Sequence, residues 1–238
     1  MEVIAEFQGA DLIVRNGASY ARWVDRAALP RSRMIDTTAA RADELLHEAR
    51  QVTHAHGPGG EHVHSRTAST TWLDLSLAVE QARAIRDALI ELLPEREEPL
   101  RARFAGLEQD LSELDTRLAA AAAQDVPLLG SHPIYQYLAR RYALDLHSVH
   151  WEPDEHPSPE QWSELEDLLR SHPARWMLWE GPPREETVAA LAALGVGSVV
   201  FSPCGETMEG SDFLRVMAQN VESLRATQGP PADAGADR

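Results

Sequence analysis

The clearest pattern lies near the middle of the chain. Leu100, Phe104, Leu107, Leu111, Leu114 and Leu118 recur at alternating steps of four and three, with charged and polar residues between them. That period belongs to an α-helix with one apolar stripe. Taken over residues 95–123, it predicts a helix roughly 40 Å long at about 1.5 Å per residue. The stripe fits half of a coiled coil or a brace packed along two lobes. It holds only about three heptads, and a globular pattern follows, so the brace is the better fit. Just upstream, Val79, Ala82, Ile85 and Leu89 line one face of a helix predicted to run to residue 93, capped by Asp74 or Ser76.

After Gln124 short apolar runs alternate with amphipathic segments. Strands are predicted at 126–129, 144–150, 176–179 and 196–201, and helices at 133–142, 159–170, 185–194 and 211–224. Ser158 before Pro159 is a good N-terminal cap, and Gly195 suits the residue just past a helix end. A βαβαβαβα order predicts a parallel sheet covered by helices, with ligands beyond the carboxyl ends of its strands. The first part of the chain alternates in the same way but is short. It reads as a helical turn at 3–7, a strand at 11–14 closed by Asn16-Gly17, an amphipathic helix at 19–28 stopped by Pro30, and a strand at 33–36. Two strands are too few for a sheet covered on both faces. Residues 51–71 are polar, Gly-rich and His-rich without a period, which predicts a loop. The expected organisation is an incomplete first lobe over 1–93, a connecting helix over 94–124, a complete α/β lobe over 125–225 and a disordered tail over 226–238.

Charge narrows the partners. The net charge is −16 and all 22 basic residues are arginine. Such acidity argues against nucleic acid or an anionic membrane and suits the attraction of cations, although habitat alone can produce it. Cys204 is the only cysteine, which excludes an intrachain disulfide and a Cys-rich zinc site. No apolar stretch is long enough to span a bilayer. The opening residues lack a basic segment followed by an apolar run, so a chain starting at Met1 is expected to stay in the cytoplasm.

Histidines carry most of the candidate chemistry. His54, His56, His62 and His64 fall within eleven residues, with His47 just upstream. Neutral imidazole suits zinc, and Gly57-Pro58-Gly59-Gly60 lets the two His-x-His pairs fold back on each other. The alternative is a solvated loop without a metal role. His132 stands between a predicted strand and a helix, as a ligand or as a cap for that helix. His150, Glu152, Asp154, Glu155 and His156 follow the next strand. Their carboxylates could orient a ligand histidine, but a plain polar loop is the simpler reading. Glu180 follows four apolar residues, pointing into a cleft or bonding to the next turn. Cys204 is a nucleophile, a soft ligand or packing. No phosphate loop, acid–base pair or Gly-x-Ser-x-Gly supports an enzyme.

Several segments, in order, resemble one family. These are GADLIVRNGASYARWVD, the His-rich loop, TTWLDLSLAVEQARAIRDAL, the long helix, SHPIYQYLARRYALDL and VVFSPCGE followed by FLRVMAQNVESL. Together they are similar to the zinc/manganese solute-binding proteins of ABC importers (the metal-binding cluster A-I family) and cover nearly the whole chain. The resemblance implies two Rossmann-like lobes with parallel sheets joined by one long helix, and a metal held between them for an ABC permease. It implies a periplasmic or cell-envelope location and an N-terminally truncated chain. Of the family's four ligand positions, one falls in the absent opening portion. A second falls on Thr70, a third on His132 and a fourth on Ser202. The expected shell is therefore His132 with His64 or His62 as substitute, water or Glu180 completing it, and His54 and His56 as a capture loop. Zinc is expected over manganese, which prefers more oxygen. The competing expectations are a relict or interaction module of the same fold, and a zinc hydrolase with Glu180 as base.

Overall fold

The structure, a computed structural model, describes residues 2–46, 68–205 and 210–231. Two compact units divide it, Met1–Gln109 and Asp110–Arg238. The division falls inside the long helix α3, Glu97–Ala121. Among the described residues no helix is long and apolar enough to cross a membrane.

The first unit opens with α1, Glu2–Gly9, and pairs β1, Ile13–Arg15, in parallel with β2, Met34–Asp36. Ile13, Val24 and Leu29 form its small core with Phe7 and Met34 packed against them. The tight turn after β1 needs Gly17, whose φ is +75° and where a Cβ would collide with the Asp36 and Thr38 side chains. That turn also explains why the helix expected over 19–28 does not form. Ala18 and Ser19 continue in the left-handed region at φ 46° and 59°, from which an α-helix cannot start. Only a short 3-10 turn, Arg22–Arg26, remains. Helix α2, Leu75–Leu92, begins as expected at Asp74, whose carboxylate accepts from the Ser76 and Leu77 amides. Its buried Gln81 ties three segments together. The Gln81 amide donates to Thr37 Oγ1 at 2.9 Å and to the Asn16 carbonyl at 3.3 Å, and its oxygen accepts from Thr71 Oγ1.

The second unit holds a four-stranded parallel sheet in the order β4-β3-β5-β6. The strands are β3 (Leu128–Gly130), β4 (Leu146–Ser148), β5 (Trp176–Trp179) and β6 (Gly197–Val200). The helices between and after them are α4 (Gln136–Tyr142), α5 (Pro159–Ser171), α6 (Glu185–Ala193) and α7 (Phe213–Ala226). Every residue of β5 is buried, as its unbroken apolar run requires for a strand covered on both faces. Leu129, Trp151, Leu165, Met177, Trp179 and Leu191 make the core. Each such side chain contributes about 1.5–3 kcal/mol through its removal from water.

Helix α5 starts with a reciprocal cap. Ser158 Oγ accepts from the Gln161 amide at 3.3 Å, and Gln161 Oε1 accepts from the Ser158 amide at 2.8 Å. Replacing Ser158 with alanine should lower the unfolding free energy by about 1 kcal/mol in a urea titration. An unchanged midpoint would show that the cap is redundant.

Candidate metal centre

Three strand ends meet where the strand order reverses. The chain leaves β3 toward β4 on one side and returns to β5 on the other. A crevice opens at such a reversal, beyond the carboxyl ends of the strands. The residues just past the ladder are held by main-chain bonds. The Ser131 amide donates to the Leu178 carbonyl at 2.8 Å, and the Trp151 amide donates to the Ser131 carbonyl at 2.7 Å. Phe201 donates likewise to Trp179, also at 2.8 Å. Trp151 and Trp179 are buried and lie in a tilted pair. Backbone bonds and two indoles thus fix the next residue along each strand: His132 after Ser131, Glu152 after Trp151 and Glu180 after Trp179.

These three side chains converge. One ligand atom from each of His132, Glu152 and Glu180 lies within 4.8 Å of the others. His132 Nδ1 stands 3.5 Å from Glu152 Oε1. It is shielded from solvent and has no hydrogen-bond partner, an unusual state for a buried polar atom. His150 meets the His132 ring edge to face at 5.7 Å between centroids. Beneath them Tyr135 is fully buried and donates its hydroxyl to the Phe201 carbonyl at 2.8 Å. Burial first, and then the negative charge of Glu180, hold that hydroxyl well above the ordinary tyrosine range, so it stays a neutral donor. One imidazole and two carboxylates form a donor set for a divalent cation.

The other sequence candidates lie elsewhere. His54, His56, His62 and His64 fall outside the described residues. Thr70 is buried in the first unit. Ser202 is held by Asn220, which accepts from its amide at 2.9 Å and donates to its carbonyl at 2.8 Å. Burial pushes the Cys204 thiol up to about 11, which keeps it protonated at neutral pH and disfavours the nucleophile reading. Glu152 is the residue that sequence reasoning placed in a plain polar loop. Its position directly after a tryptophan at a strand end was the available signal, since a buried indole fixes which way the next side chain leaves the core.

The second unit is therefore a parallel α/β fold that gathers polar donors at the switch point of its sheet. The chain belongs to the family described as zinc-uptake complex component A, periplasmic (ZnuA), whose model matches residues 2–227. The zinc-binding protein AdcA of Streptococcus pyogenes is 26% identical over 94% of this chain and 47% of its own length. The zinc-binding lipoprotein AdcA of Streptococcus pneumoniae is 25% identical over 96% of this chain and 48% of its own. The chain thus spans about half the length of the curated relatives it matches. In structure it is similar to the Zn(II)-bound ZnuA-like domain of S. pneumoniae AdcA, with a TM-score of 0.76 at 21% identity over 95% of this chain and 83% of that one. It is also similar to the metal-dependent lipoprotein YcdH of Bacillus subtilis, with a TM-score of 0.78 at 19% identity over 94% and 83%.

Proposed function

We propose that the chain captures a zinc ion at His132, Glu152 and Glu180 and holds it for delivery to the permease of an ABC importer at the cell envelope. The observation that carries this reading is the convergence of three ligand atoms within 4.8 Å, one of them a shielded imidazole nitrogen without a hydrogen bond. Two carboxylates facing one another repel, and a divalent cation between them relieves that repulsion. In a tetrahedral zinc shell, ligand atoms about 2.0–2.1 Å from the ion stand roughly 3.3 Å apart, so modest side-chain closure completes the site. Three protein ligands leave a fourth position for water. The net charge of −16 draws cations toward the protein.

Zinc is favoured over manganese on chemical grounds. An imidazole-containing site binds zinc more tightly than manganese in the usual order of divalent-ion affinities. The S. pyogenes and S. pneumoniae relatives are named zinc-binding, which supports the same choice. The role requires capture and release, and no bond in a substrate is made or broken.

Competition with a chromophoric zinc chelator tests the site. The unaltered chain should withdraw zinc from the chelator. Glu152→Gln and Glu180→Gln should each weaken binding by about tenfold or more, because each removes an anionic donor while keeping the side-chain shape. Affinity unmoved by both substitutions would place the ion elsewhere.

A further inference from the structure

A second group of donors lies at the opposite end of the same sheet. Asp145 immediately precedes β4, His147 lies within it, and His172 directly follows α5. One ligand atom from each lies within 4.8 Å of the others. His172 is 93% buried as a side chain, since only 7% of it remains exposed. Its Nε2 stands 2.9 Å from the Leu128 carbonyl. A carbonyl can only accept, so Nε2 carries a proton, and in the neutral ring Nδ1 is the nitrogen that presents its lone pair. That nitrogen faces Asp145 Oδ2 at 3.7 Å, too far for a hydrogen bond. Metal-bound histidines are commonly oriented in this way, with the second ring nitrogen donating to a backbone carbonyl. His147 stacks on the same ring, 4.3 Å between centroids and 7° from parallel. Asp145 and His147 are both exposed, so an ion reaches the group from solvent.

We infer that Asp145, His147 and His172 form a second divalent-cation site, at the amino end of the sheet and separate from the His132 centre. Its donor set, two imidazoles and one carboxylate, suits zinc and the later first-row divalent ions. Stacked rings send their lone pairs out side by side rather than toward one point. Loading therefore turns the exposed His147 ring toward the ion, while His172 stays where the Leu128 carbonyl holds it. The ion then ties β4 to the segment entering β5, and water fills the remaining positions.

Zinc equivalents bound at saturation, measured by equilibrium dialysis with zinc chloride, test the site. His147→Ala and Asp145→Ala alter exposed side chains and should leave the thermal midpoint of the metal-free protein in place. Each should lose about one equivalent relative to its parent, both in the unaltered chain and in a His132→Ala background. The His-rich stretch is common to every pair compared and cancels. In the His132→Ala background, histidine-ring NMR should show zinc shifting His147 and His172 resonances, and His147→Ala should abolish the His172 shift. Equal zinc counts in parent and variant would overturn the site. So would a difference that vanishes in the His132→Ala background, because the lost ion would then belong to the first centre. Failure of the His132 centre itself would leave the comparison in that background intact.

Discussion

His132→Ala is expected to weaken zinc binding at the first centre by more than about a hundredfold, beyond the roughly 10–100-fold cost of losing an outer-shell partner. His132 is the one nitrogen donor in the cluster it forms with Glu152 and Glu180. Without it, two like-charged carboxylates remain, with two protein donors where zinc normally takes at least three. The imidazole is partly exposed, so its removal leaves no large cavity. Thermal unfolding without metal should therefore change little while chelator competition changes greatly. Full retention of affinity in the variant would dismiss His132 as a ligand. A comparable fall in stability would make the substitution uninformative about coordination, and His132→Gln would then replace it in the competition assay.

Trp179→Ala should lower the unfolding free energy by about 3–5 kcal/mol, the range for deleting a large aromatic from a core. The indole is 1% exposed, packs in the core with Trp151 and Met177, and donates Nε1–H to Ser198 Oγ at 3.2 Å. Its loss opens a cavity among rigid sheet neighbours that cannot collapse to fill it. Urea unfolding reads the effect directly. Zinc affinity should fall as well, because Glu180 leaves the sheet immediately after this side chain. A loss under about 1 kcal/mol would mean that the core repacks freely and that Trp179 does not aim Glu180.

Much of the fold was legible because its elements are governed by local periodicity. The expected strand at 176–179 and β5 coincide, and the helix expected over 95–123 appears as Glu97–Ala121. Strand ends were less legible. The run at 144–150 yields a ladder only over Leu146–Ser148, because the following residues leave the sheet. The helix expected over 19–28 failed for another reason: left-handed backbone at Ala18 and Ser19 overrides an amphipathic pattern. At the candidate centre His132 and Glu180 could be named from strand ends alone. Glu152 was named only as part of a polar loop after a strand, and its approach to His132 was less legible because it depends on the order β4-β3-β5-β6, a long-range property. His172 was silent in the sequence for the same reason. Its backbone partner, Leu128, lies 44 residues upstream.

The amide clamp on Ser202 bears on how such a site drifts over generations. Asn220 holds this segment through the Ser202 amide and carbonyl, while Ser202 Oγ accepts from the Cys204 amide at 3.3 Å. The bonds beside His132 and Glu152 likewise run between main-chain atoms of Ser131, Trp151 and Leu178. Donor side chains can therefore be exchanged by single substitutions without reshaping the scaffold that displays them. A scaffold held in this way keeps its sheet while the side chains displayed at its strand ends change.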